Sequence, residues 1–146
     1  MSAVVEKNAS TASLHGSSDA LALARLSQGS RPAVVFCAQA TEAQRLKDEI
    51  AWFSPQLAVT LLPDWETLPY DHFSPHHDLV SERLATLYRI MREDFDVAIV
   101  PAATALTRLG PPSFLAAHSF FLKAGETIEL DALRAQLTLA GYSHVT

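Results

Sequence analysis

Three groups of residues in this chain have the types that chemistry requires. The first is Asp71, His72, His76, His77 and Asp78, inside the stretch LPDWETLPYDHFSPHHDLVSERLATLYRI that begins at position 62. Imidazole nitrogens and carboxylate oxygens are ordinary ligands of divalent metals. The spacing argues against a metal here. His72 and His76 would share a helical face only if the backbone between them were helical, and Pro69 and Pro75 oppose that. Ser74-Pro75 instead reads as an N-cap followed by the first position of a helix, with Asp78 near its positive end. No metal ligand is assigned.

The second group is Gly16, Ser17, Ser18 and Asp19, in LHGSSDALALARL. A phosphate-binding loop needs a glycine-rich turn whose N–H groups cradle the phosphates, then Lys and Ser or Thr. The glycine and the serines are present, but no Lys follows, and Asp19 stands where it would repel phosphate. A carboxylate at that place is an ordinary helix cap. The run DFDVAIVPA likewise ends in Pro and Ala, where an ATPase needs Asp to hold magnesium. The third candidate is Cys37, the one cysteine. It lies in the apolar run AVVFCA, where it reads as a small buried hydrophobe. No G-x-S-x-G nucleophile motif accompanies it. No catalytic residue is assigned.

The elements that must carry these residues follow from periodicity. Residues 17–29 read as a helix with Leu21, Ala24 and Leu26 among its apolar positions and Gly29 as its stop. AVVFCA (33–38) reads as a strand covered on both faces. TEAQRLKDEIAWFSP (41–55) reads as a helix with Thr41 and Gln44 as a capping box. Its inward face is Ala43, Leu46, Ile50 and Phe53, and Pro55 closes it. AVTLLP (58–63) is the next strand. A second amphipathic helix then carries Leu84, Leu87, Tyr88 and Met91, and DVAIVPA (96–102) is a further buried strand. TALTRLGPP is a short helix broken by Gly110, Pro111 and Pro112.

Strands alternating with helices predict an α/β layer fold with right-handed crossovers over residues 14–117. Residues 1–13 read as a flexible segment. From residue 118 the chain changes character: a strand, a turn at Gly125, and a helix with Leu130, Leu133, Leu137 and Ala140 on one face and Gly141 at its end. Its partner elements are missing, which reads as the opening of a truncated second unit.

Trp65, Tyr70 and Phe73 lie on the Pro-stiffened loop before the second helix, and Arg83 lies within that helix. The aromatics either pack onto the domain's own elements or form an exposed anchor. These four residues are the candidates for docking to another domain or a partner.

The composition fits this reading. Hydrophobic residues make up 49% and charged residues 18%, enough for a core. The net charge of −5, with 11 Lys and Arg in no cluster, argues against a nucleic-acid surface used alone. One cysteine allows no intrachain disulfide and suits a reduced, cytoplasmic setting. Residues 1–13 lack the apolar core of a signal peptide, and no apolar run reaches the roughly 18 residues of a membrane span.

The 62–90 stretch, together with VAIVPAATALTRLGPPSFL and LKAGETIELDALRAQLTLAGYSHV, resembles the amino-terminal region of the transcription-repair coupling factors (Mfd), from about position 15 onward. The resemblance implies a module similar to the repair protein UvrB: a three-layer, RecA-like (P-loop NTPase-like) parallel sheet with helices on both faces and a degenerate nucleotide site. Gly16, Ser17, Ser18 and Asp19 would occupy the degenerate position. UvrB's aromatic DNA-clamping hairpin has no counterpart, because the chain runs from Phe73 directly into a helix. Full-length members bind stalled RNA polymerase, move on DNA with an ATP- and Mg-dependent motor, and recruit UvrA. The resemblance places the main UvrA contact after Thr146, so residues 118–146 would be only the start of that second, UvrA-binding-type domain. The expectation is therefore a scaffold domain without enzymatic activity or cofactor, docking on other domains of the same protein. The rival expectation is a small α/β nucleotide-binding enzyme with an atypical phosphate loop.

Overall fold

The computed structural model describes residues 14–29, 32–65, 67, 72, 74–118, 124–125, 127–139 and 142–143. The elements in chain order are α1 (Ser18–Gly29), β1 (Ala33–Cys37), α2 (Ala40–Phe53), β2 (Val59–Leu61), α3 (His77–Met91), β3 (Val97–Pro101), α4 (Ala102–Ala105), α5 (Pro112–His118) and α6 (Leu130–Leu139). The α/β expectation holds: the strands form a parallel sheet in the order β1-β3-β2. Val97 of β3 pairs with Ala33 of β1 on one side and with Val59 of β2 on the other.

That order requires the chain to cross over β3 and return. α2 carries it from β1 to β2, and α3 carries it back to the centre. Alternate side chains of a strand point to opposite faces, and two clusters result. Val97 and Ile99 join Ala43, Leu46 and Ile50 of α2 and Ala20 and Ala24 of α1. Val100 joins Leu62, Leu87 of α3 and Leu115 of α5. The strand tail expected at 118–125 falls mostly on residues outside the described ones, as do Ala140 and Gly141. No residue of α6 is buried.

Local expectations change in several places, among them the short helix expected at 104–112, which ends at Ala105 while Pro112 opens α5. The inward stripe of α1 is Ala20, Ala24 and Ser27, while Leu26 is 66% exposed. Small residues at this seam let α1 and α2 approach closely, and Leu26 points away from it. The Thr41–Gln44 capping box does not form. α2 starts after Gln39, Glu42 accepts from Ala38 N–H at 3.3 Å, and Gln44 turns to Asp48 instead. α3 starts two residues later than the Ser74-Pro75 signal, after His76, whose Nδ1 accepts from Asp78 N–H at 3.3 Å. The buried residues of α3 are Arg83, Thr86 and Leu87, with Leu84 and Met91 more than a third exposed. Finally, β1 is covered on one face only among the described residues: Cys37 is 5% exposed, but Val34 and Phe36 are 53% and 67% exposed. They lie on the face of the sheet that α3 and α5 cover farther along.

Ile99, with no exposed surface at the centre of the larger cluster, sets an expectation. Ile99→Ala should lower unfolding stability by about 2–5 kcal/mol, whereas Leu26→Ala should change it by about 0.5 kcal/mol or less. Urea unfolding followed by circular dichroism measures both. Similar losses for the two variants would contradict this assignment of the core.

Candidate functional site

The first candidate place is the start of α1. Gly16 has φ +60°, the left-handed region that glycine enters without strain, and it makes the turn into the helix. Ser17 is exposed. The Ser18 hydroxyl donates to the His15 carbonyl at 2.7 Å. Both serines thus serve the turn or face water.

Asp19 is held more tightly. Its Oδ1 accepts from Ala20 N–H at 2.7 Å. Arg45 of α2 then forks onto the same carboxylate, at 3.2 Å to Oδ1 and 2.6 Å to Oδ2, and also reaches Glu49 at 2.7 Å. Two-pronged pairing of this kind is the strongest common geometry for a guanidinium and a carboxylate. The Arg45 hydrogen bonds hold Asp19 below the usual carboxylate range, against the opposing effect of partial burial. At the end of α1 where a phosphate would need cations and free N–H groups, the structure therefore has a carboxylate already paired. Sequence reading found Asp19 but not Arg45, because a partner 26 residues away leaves no local signal.

The second place is the loop after β2. Arg83 of α3 is 2% exposed. Its guanidinium donates to the Pro63 carbonyl and, at 3.1 Å, to Thr107 Oγ1. It also lies 4.6 Å from the centre of the Trp65 ring, in cation–π contact. Thr107 Oγ1 donates onward to the Thr104 carbonyl at 2.6 Å. One buried side chain thus ties the loop leaving β2 to the turn after α4. Burial pulls the Arg83 pKa down, and the nearby charge of Asp64 opposes that. Trp65 is 37% exposed, so it serves both as packing and as surface. Tyr70 and Phe73 lie outside the described residues.

The remaining candidates do not converge. His72, His76, His77 and Asp78 are exposed, and Asp71 lies outside the described residues. Among the described residues no three His, Cys, Asp or Glu side chains are grouped to hold a metal. Cys37 is buried, and desolvation chiefly pushes its thiol pKa up, with Glu42 adding to the effect; both disfavour a reactive thiolate. Among the described residues no helix is long and apolar enough to cross a membrane.

No family model matches the chain. Among curated proteins it is similar to the transcription-repair-coupling factor of Escherichia coli K12, 47% identical over 114 residues that make up 78% of this chain and 10% of that protein. It is similar to the Haemophilus influenzae protein of the same name, 38% identical over 128 residues, 87% of this chain and 11% of that one. The Mycobacterium tuberculosis counterpart is 33% identical over 132 residues, 86% of this chain and 10% of that one. The chain spans about a tenth of the length of the curated relatives it matches.

Two measurements test these geometries. The Asp19–Arg45 pair is about one-third exposed, so solvent screens it, and a double-mutant cycle with Asp19→Asn and Arg45→Gln should give a coupling of about 0.5–1 kcal/mol at neutral pH. Because folding lowers the Asp19 pKa, the coupling is fully present above the ordinary carboxylate value of about 3.9. It is lost as pH falls below that through the folded value. A coupling that grows on acidification would contradict the pairing. For the second place, Arg83→Ala leaves the Pro63 carbonyl and Thr107 without their donor and should cost about 2–3 kcal/mol. Trp65→Ala should cost about 1–3 kcal/mol, below the loss for a fully buried aromatic. Strict additivity in the Arg83–Trp65 double variant would show that the two side chains do not interact.

Proposed function

Because the chain belongs to the transcription-repair-coupling factor family, we propose that it is a non-catalytic scaffold domain of such a factor. On this reading the parallel sheet is a RecA-like, UvrB-like module from the amino-terminal region that no longer binds nucleotide. One observation carries the proposal: Asp19, at the start of α1, is clamped by Arg45. Phosphate binding at a helix start uses positive N–H groups and cationic side chains to offset negative charge. Here the same volume holds a carboxylate whose N–H partner, Ala20, is already engaged. An incoming phosphate would have to displace Arg45 from Asp19 and then face Asp19 itself.

In the whole protein, binding of stalled RNA polymerase and ATP- and Mg-driven movement on DNA would be the work of other domains. UvrA recruitment would depend mainly on residues after Thr146. This domain would position those parts through its docking surfaces.

The test has two arms. Calorimetry of this chain with Mg-ATP should show no binding, and micromolar affinity would favour the nucleotide-binding enzyme instead. Capture of UvrA should be weak with this chain and stronger with one extended by about 70 residues, a small-domain length. Equal capture by both would move the UvrA contact into the first domain.

A further inference from the structure

The apolar cavity beside Arg83 has a volume of about 150 Å³. Its deep wall is Leu87 and Leu115, both from the cluster on the α3 side of the sheet. Its mouth is formed by Trp65, Leu84 and Leu109, which are 37%, 38% and 50% exposed. An apolar cavity of roughly 150 Å³ accommodates one benzene ring, so this one has room for a single aromatic or branched aliphatic side chain.

The polar groups at the cavity are unevenly signed. Arg83 and Arg108 both line it. Among the described residues Arg83 meets a carbonyl, a hydroxyl and an indole face, but no carboxylate within ion-pair distance. Arg108 is exposed and forms no ion pair with any described residue. Asp64 is close enough to act on Arg83, yet its Oδ1 is engaged by Trp65 N–H at 2.9 Å. Among the described residues the charged side chains that line the cavity are both guanidinium groups, and the exposed one, Arg108, leaves the mouth cationic on a chain whose net charge is −5. A charge of that sign at an apolar opening selects an anionic partner and rejects a cationic one.

The apolar surface also continues past the mouth. Gly110 lines the cavity, the Phe114 ring lies close against it, and Phe114 is 55% exposed. A small organic acid would fill the cavity without reaching the exposed part of Phe114. A polypeptide would cover both.

We propose that this cavity is a docking site for a partner polypeptide that inserts one apolar side chain and presents a flanking carboxylate to Arg108. The proposal is independent of the nucleotide question, since α1 and Asp19 pack with α2 on the opposite face of the sheet.

Trp65 supplies the readout. The chain has two tryptophans, and Trp52→Phe removes the other, which is 77% exposed on α2. In that background the probe is an end-capped Asp-Asp-Phe-Asp-Asp peptide, compared with a version carrying Lys for every Asp, a version carrying Ala for Phe, and phenylacetate. The acidic Phe peptide should change Trp65 emission saturably, while the Lys and Ala versions bind at least about tenfold more weakly. Arg108→Ala and Leu109→Gln, both at exposed positions, should each weaken the acidic peptide about tenfold with an unchanged far-ultraviolet spectrum. No saturable change in the folded protein, or equal binding of the Lys peptide, would overturn the proposal. So would binding unaffected by Arg108→Ala. Phenylacetate binding as tightly as the peptide would assign the cavity to a small acid and equally overturn it.

Discussion

A strand hydrogen-bonded along both edges and buried on both faces has no freedom to carry a polar side chain, and β3 meets that constraint at all five of its positions. The rest of the architecture is its consequence. With β1 and β2 on either side and parallel to it, the chain can reach both only by crossovers, and parallel crossovers are helices. α2 and α3 must then lie on opposite faces, each contributing an apolar stripe to one set of β3 side chains. The sheet's lower edge is fixed by the same strand's flank. Asp96 O accepts from Ala33 N–H, and Asp96 Oδ2 accepts from Ala58 N–H at 2.8 Å, so one residue sets the entry of both outer strands.

The parts of this fold that were legible in the sequence are those where apolar burial alone decides. The runs around Val35, Thr60 and Ile99, and the Ala43–Leu46–Ile50 face, announce themselves by composition and period. The parts that were not legible are those where size or a distant partner decides. α1 turns Ala20, Ala24 and Ser27 inward because a close helix contact needs small side chains, and a pattern based on hydrophobicity favours Leu26 instead. α3 buries Arg83 and Thr86 because their polar atoms meet the Pro63 and Leu61 carbonyls, which are supplied by the strand and loop, not by the helix. β1 has the all-apolar composition of a doubly covered strand, yet a strand's cover is a property of its neighbours, and here α3 and α5 reach Val100 but leave Phe36 exposed.

The candidate sites divide in the same way. The carboxylate of Asp19 was readable, since such a group at a helix start has a definite electrostatic meaning regardless of context. What holds that carboxylate was not, because Arg45 carries an equally plausible local partner in Glu49 at i+4. Trp65 and Arg83 were both singled out as surface for docking. The structure joins them in a single contact and separates their roles: Arg83 is interior and braces two loops, and Trp65 divides its ring between that brace and solvent.

These two arginines show how the same chemistry serves opposite ends. Arg45 faces two carboxylates and lies partly in water, so its charge is compensated and its contribution to stability is small. Arg83 is buried among a carbonyl, a hydroxyl and an indole, none of which carries a full negative charge. Among the described residues no carboxylate lies within ion-pair distance of it, and removing a cation from water costs free energy that neutral acceptors and the more distant Asp64 offset only in part. A helix position holding such a residue must gain something that Leu or Met could not provide there. What the structure shows there is direction: two hydrogen bonds and one cation–π contact tie Pro63, Thr107 and Trp65 to a single side chain. A buried guanidinium holds those loops in one arrangement through the direction of its bonds, which an apolar side chain of equal volume lacks.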